Sequence, residues 1–247
     1  MELNKIYNMD CLEGMNNIKD KSVDMILCDL PYGTTRCKWD TVIPLDELWK
    51  HYERIIKDNG AIVLFAQTPF DKVLGSSNLK MLKYEWIWEK TQATGHLNAK
   101  KMPMKAHENI LVFYKKLPTY NPQKTSGHKP INTYTKYIAT QNNTDLYGEM
   151  KQEISGGGET DRYPRSVQIF SSDKQRSCLH PTQKPEKLCE FLIKTYTNEG
   201  DLVLDNCIGS GTTAVAAINT NRNYIGFESD ENYYNIAIDR VKNIDKI

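Results

Sequence analysis

Short apolar runs alternate with stretches of helical period at both ends of this chain, and a long polar stretch separates the two series. Lys5–Asn8, Val23–Cys28, Ala61–Phe65, Tyr84–Glu89, Asn109–Tyr114, Leu202–Asp205 and Tyr224–Glu228 read as seven strands. The run VDMILC at 23–28 is apolar at nearly every position, which suits a strand covered on both faces. Between these runs, Cys11–Ile18 carries apolar residues at 11, 12, 15 and 18, one face of a helix. Pro44–Lys57, with Asn59-Gly60 as its stop, Pro69–Leu79, Pro185–Tyr196, Gly211–Asn219 and Glu231–Ile244 also read as helices. Strands alternating with helices on both sides of a gap predict one α/β, doubly wound, mostly parallel sheet.

The gap is the stretch 117–177, polar and without clear apolar period. Its aromatic residues, Tyr120, Tyr134, Tyr137, Tyr147, Tyr163 and Phe170, favour an ordered subdomain over a disordered insertion. The expected division is therefore 1–116, 117–177 and 178–247, the outer two segments forming one domain. A net charge of +1 hides an asymmetry: nine lysines lie between Lys90 and Lys136, opposed by Glu108 alone. Such a stretch could follow a phosphate backbone, and a solvated face is the competing reading. The six cysteines form no C-x-x-C pair and the five histidines lack zinc-ligand spacing, so no metal site is expected. Free thiols, no signal-peptide pattern and no apolar run of roughly 18 residues point to a cytoplasmic protein without a membrane partner.

Two strand ends carry chemistry. In DLVLDNCIGSGTT, 201–213, an apolar strand ends in Asp205, and Gly209 and Gly211 lead into a helix. Glycines there let the backbone turn tightly and approach a ligand. The next strand ends in Glu228, whose carboxylate could accept from both ribose hydroxyls of a nucleoside. No lysine follows the glycines, which excludes a Walker-type phosphate loop, and Ala214 occupies the third glycine of a dinucleotide fingerprint. A plain structural turn is the alternative. The second strand end is DLPYG, 29–33: an acceptor carboxylate, a stiff turn and an aromatic face in four residues. Asp29 and a backbone carbonyl could accept the two N–H bonds of an exocyclic amine, and Tyr32 could stack on its ring. A turn capped by Asp29 is the other reading. An amine conjugated to a base is a poor nucleophile; acceptors on both N–H groups localise its lone pair, so positioning and electrostatics supply most of the catalysis. The base must leave a duplex to reach such a site.

On these residues the chain resembles the DNA amino-methyltransferases in their circularly permuted, beta arrangement. DLPY at 29–32 looks like the family's catalytic (D/N/S)-P-P-(Y/F/W) motif, and DNCIGSGTT at 205–213 like its cofactor motif D-P-F-x-G-S-G-T-T. HPTQKP at 180–185, MDCLEGM at 9–15 and HENILVFYK at 107–115 are similar to three further family segments in the same order. The resemblance implies a seven-stranded methyltransferase sheet with one antiparallel strand near an edge, a catalytic half, an inserted target-recognition region and a cofactor-binding half. It implies S-adenosylmethionine held by Asp10, Asp205, Gly209, Gly211, Thr212 and Glu228, with Thr182 and Lys184 at its methionine end; an ordinary surface lysine is the alternative for Lys184. Asp29, Pro31, Tyr32 and the carbonyl of Leu30 would form the target pocket. Arg36, Lys38 and Trp39, in a loop closing over the base, and Lys100, Lys101, Lys105, Lys124 and Lys129 would meet double-stranded DNA; loop packing is the other reading of Trp39. Leu30 replaces a proline and Asn206-Cys207 replaces Pro-Phe, which puts turn rigidity and cofactor affinity in question. Aspartate at 29 favours N6 of adenine over N4 of cytosine. A homodimer and a separate restriction endonuclease are family partners, and a catalytically silent nucleic-acid-binding module is the reading from another class.

Overall fold

The computed structural model describes residues 1–33, 40–132, 134–136, 154–172 and 183–244. In chain order its elements are β1 (Lys5–Asn8), α1 (Cys11–Asn16), β2 (Val23–Asp29), α2 (Leu45–Ile55), β3 (Ile56–Ala66), α3 (Phe70–Ser77), β4 (Leu82–Thr94) and β5 (Lys105–Phe113). The short strands β6 (Tyr134–Lys136) and β7 (Ile154–Gly156) follow, then β8 (Val167–Phe170), α4 (Glu186–Tyr196), β9 (Leu202–Asp205), α5 (Thr212–Asn219), β10 (Asn223–Glu228) and α6 (Glu231–Ile244). Eight strands form one sheet in the order β1-β10-β9-β2-β3-β5-β4-β8. All neighbours are parallel except β5, which runs antiparallel to both β3 and β4.

The period-2 geometry of a strand explains why this sheet is doubly covered. Along β2, Ile26 and Cys28 join a core with α1, α2 and α3, while Met25 and Leu27 join a second core with α4 and α5. All four are fully buried. Each such apolar side chain taken from water contributes about 1.5–3 kcal/mol, so the two cores dominate the stability of the sheet.

Three sequence expectations change. Asn59-Gly60 does not stop a helix; α2 ends at Ile55 and β3 starts at once. The pairing jumps from Val23↔Ile56 to Met25↔Ala61, so this dipeptide lies in an irregularity of the strand. A Cβ on Gly60 would meet the backbone oxygen of Asp24 at 2.7 Å, which is why the two strands need glycine there. The sheet has an eighth strand, β8, paired parallel to β4 inside the stretch expected to be an insertion. The compact inserted unit is consequently narrower than 117–177: it spans Pro122–Pro164, and Met1–Asn121 with Arg165–Ile247 forms the other unit. Asn121 is tied to the end of α4 through its N–H to the Thr195 carbonyl, and Ser166 accepts from the N–H of Ile87. Within the inserted unit, β6 and β7 pair antiparallel, and Lys124 lies 4.5 Å from the Tyr163 ring centroid. Among the described residues no helix is long and apolar enough to cross a membrane.

Candidate active site

The strand order places the two chemical motifs side by side. From β2 the chain moves to β3 on one side; from β9 it moves to β10 on the other. A crevice opens where such directions diverge, at the carboxyl ends of the strands. Ile26 faces Leu204 across that junction, so Asp29 and Asp205 leave adjacent strands at the same edge. One cavity of about 830 Å³ is lined by Asp29, Leu30, Pro31 and Tyr32 together with Asp10, Asp205, Gly209, Thr212 and Glu228. Ligand sites of this kind are usually about 300–1,000 Å³.

On the Asp29 side both oxygens of the Asp29 carboxylate are engaged. Tyr32 donates its hydroxyl to Asp29 Oδ1 at 2.6 Å, and Lys184 donates Nζ to Oδ2 at 2.6 Å. The Tyr32 ring stacks on Phe70, with centroids 5.1 Å apart and planes at 26°. The turn after it is held by Asp40, whose Oδ1 accepts from Gly33 N at 2.8 Å. Burial pushes the Asp29 carboxyl above its usual range; Lys184 opposes this and Glu108 adds to it. Burial, then the Asp29 charge, raises the Tyr32 phenol well above its ordinary value. Lys184 is 7% exposed and stays charged, because Asp29 and Glu108 outweigh the burial that would discharge it. Lys184 thus sits against the Asp29 carboxylate, where the sequence suggested only the methionine end of a cofactor or a surface position.

On the other side, Asp205 accepts from Thr213 Oγ1 at 2.6 Å and from Cys207 N at 3.0 Å. Burial pushes its carboxyl up to about 6, against those two donors. Glu228 accepts from Gly209 N at 2.9 Å and from Asp230 N at 2.9 Å, which fixes it at the end of β10. Asp10 caps α1, accepting from Leu12 N at 2.8 Å and Glu13 N at 3.2 Å. Thr212 opens α5 and receives Arg240 Nη1 at 3.3 Å. Gly211 lies between the lining residues Ser210 and Thr212, and its φ of 86° and the 3.1 Å between a Cβ there and Ala237 show that the packing of α6 also requires glycine at this position.

Several contributors were not legible in the sequence. Glu108, at the start of β5, pairs with Lys90 at 2.6 Å and with Lys184 at 3.2 Å. Its isolation among nine lysines was the available signal. Gln183 is 5% exposed, lines the cavity, and both its amide atoms lack a hydrogen-bond partner among the described residues. An orphaned buried amide facing a cavity is what a polar ligand would satisfy. Of the expected DNA contacts, Lys100 and Lys101 are exposed beyond β4, Lys105 lines the cavity and reaches Gln67 Oε1 at 3.3 Å, and Lys124 and Lys129 belong to the inserted unit. Arg36, Lys38, Trp39 and Thr182 lie outside the described residues. Among the described residues no cluster could hold a metal ion.

A family model for DNA methylases acting at N6 or N4 matches residues 23–239. The chain belongs to the N6/N4 DNA methylase family. The Type II methyltransferase M1.MboII of Moraxella bovis is 30% identical to this methylase over 262 residues, covering 96% of each protein. The crystal structure of an M1.HpyAVI–SAM complex superimposes with a TM-score of 0.65 at 25% identity, covering 96% of this chain and 98% of that one. The cytosine-N4-specific PvuII DNA methyltransferase superimposes at 0.69 with 16% identity, over 97% and 90% of the two chains, a likeness of fold alone. This methylase is a site-specific DNA methyltransferase with the open, mostly parallel sheet of its class, and its cofactor is S-adenosylmethionine.

Proposed function

We propose that this enzyme methylates N6 of an adenine flipped out of double-stranded DNA. One observation carries the reading: Asp29 and Tyr32 face the same cavity as Asp205, Gly209 and Glu228. When bound, S-adenosylmethionine supplies an electrophilic methyl group. Glu228 would accept from its ribose, Asp10 would meet its adenine, and Asp205, Gly209, Thr212 and Gln183 would line its remaining length. Asp29 and the Leu30 carbonyl would accept the two N–H groups of the target amine and so raise its nucleophilicity. Tyr32 would turn a ring face to the flipped base and offset its lost stacking. Attack forms a nitrogen–carbon bond, breaks a sulfur–carbon bond and leaves one N–H proton to depart; Asp29, whose proton affinity is raised by burial, is placed to receive it. The lysines at 100, 101, 105, 124 and 129 would position phosphates without reading bases. The names of Type II relatives support a companion restriction endonuclease. A homodimer is supported by the family resemblance.

The carboxylate at 29, where many cytosine enzymes carry serine, supports adenine. Plasmid DNA treated with the enzyme and S-adenosylmethionine, digested to nucleosides and analysed by mass spectrometry, should contain N6-methyladenine. N4-methylcytosine in its place would overturn the base assignment, and no methylated nucleoside would favour a silent module. Asp29→Ala should reduce methyl transfer by about a thousandfold, the scale of losing a preorganised electrostatic contact at the reacting centre. Cofactor affinity measured by calorimetry should persist, and its loss in that variant would contradict the assignment of Asp29 to the base.

A further inference from the structure

Four ionisable side chains form a chain along the cavity: Lys90, Glu108, Lys184 and Asp29, with successive contacts of 2.6, 3.2 and 2.6 Å. Their charges alternate and cancel, and their side chains are 10%, 6%, 8% and 22% exposed. Two details distinguish this from a static ion-pair ladder. Lys184 hydrogen-bonds Asp29 Oδ2, yet its contact with Glu108 lacks hydrogen-bond geometry, and Glu108 Oε2 accepts no hydrogen bond among the described residues. A buried carboxylate oxygen left so is unfavourable, and here it lies beside an ammonium able to fill it. The second detail concerns Asp29. Tyr32 holds its Oδ1, and the ammonium on Oδ2 puts positive charge where the N–H of a target amine would arrive.

We propose that Glu108 is a positioning residue for methyl transfer: it takes the Lys184 ammonium from Asp29 as the target amine arrives. The proposal rests on the assignment of Asp29 to that amine. Lys90 holds Glu108 Oε1, which leaves Oε2 aimed at Lys184. The exchange moves one ammonium between two oxygens it already touches, and no proton is transferred. Without Glu108, release of Asp29 would strand a buried, unpaired ammonium, which is strongly unfavourable. Glu108 therefore makes Asp29 available without discharging Lys184.

Glu108→Gln tests this, because it keeps the shape and removes the charge. The single-turnover rate of methyl transfer to DNA should fall roughly tenfold or more, the scale of one charge-assisted contact. Cofactor affinity by calorimetry should stay at the wild-type value. The pH profile supplies a readout that a loosened fold would not move. Lys184, Glu108, Tyr32, Cys28, Cys189 and Asp205 are the ionisable groups among the described residues that act on Asp29, and the Glu108 charge raises the proton affinity of Asp29. Its removal should shift the acid limb of the rate profile to lower pH while the plateau drops. A wild-type rate, or a lowered plateau with the limb unmoved, would overturn the proposal. If Glu108→Gln loses cofactor binding, Glu108→Asp decides: a shorter carboxylate should give a reduced rate with intact cofactor affinity, and a full rate would overturn it. A wild-type enzyme inert toward DNA amines would instead overturn the reading of Asp29 and, with it, the hand-over.

Discussion

Asp205 joins two demands at one side chain. It sits at the end of β9 with both oxygens engaged, yet burial pushes its carboxyl from 3.8 up to about 6. A group whose folded-state affinity for protons is raised stabilises the fold fully below its unfolded value, and this contribution is lost as pH rises through the folded value. Stability therefore falls as pH rises from the lower value to the higher, and above the higher, at neutral pH, the ionised carboxylate costs on the order of 3 kcal/mol for about two units. Asp205→Asn should remove that cost, since an amide oxygen can accept from Cys207 N and its nitrogen can donate to the Thr213 hydroxyl. Urea unfolding should show the variant more stable than wild type at pH 8 and indistinguishable below pH 4, while cofactor affinity weakens. Equal pH slopes for the two proteins would refute the account. Asp205, Asp29, Tyr32, Gly209 and Glu228 were legible in the sequence because each ends or follows an apolar strand, where open sheets put ligands. Glu108 was not, and Lys184 was read only at the cofactor's methionine end or the surface, because their contacts depend on partners that only the fold brings near; Lys184 and Asp29 are 155 positions apart.

At the scale of elements, the strands and helices were readable wherever a buried face imposed a period. The eighth strand escaped because β8 alternates between exposed and half-buried positions, with Ile169 63% exposed, so no apolar run marks it. The start of β3 escaped for another reason: Gly60 resembles a helix stop in sequence, but its place is set by the approach of the β2 backbone. Gly14 shows a similar close approach. It lies in α1, and a Cβ there would come within 2.4 Å of Cε1 of Phe227, a fully buried ring of β10. Gly14→Ala should therefore cost about 1–3 kcal/mol in overpacking, more than the helix propensity of alanine returns. Because Asp10 and Cys11 at the start of α1 line the cavity, the same displacement should weaken cofactor binding. Denaturant titration and calorimetry on one preparation check both effects. A variant as stable as wild type would show that α1 has room to withdraw from β10.

For the whole molecule, sequence order and spatial order part company. β2 and β9 are neighbours in the sheet although the inserted unit lies between them in the chain, so the cavity is completed only when both halves fold onto one sheet. The βα alternation made this legible, and the motif order made the permutation legible. The edges of the insertion were not, because Asn121 and Ser166 are polar residues whose anchors, on α4 and β4, are distant in sequence. Those anchors make a separation of labour testable. Residues 122–164 form their own compact unit, while both points where the chain leaves and re-enters the main unit are held by backbone hydrogen bonds. Long surface insertions add little loop-closure entropy, so their removal should cost little stability when both ends stay anchored. Replacing 122–164 with a short glycine-serine linker should leave cofactor affinity near wild type, since among the described residues those lining the cavity lie outside the excised segment. Site-specific methylation of a plasmid should then fall by roughly a hundredfold or more, the gap between specific and non-specific DNA binding being at least about a thousandfold. Loss of cofactor binding would mean that the insertion is part of the folding unit, and undiminished site-specific methylation would mean that the bases are read by the sheet domain.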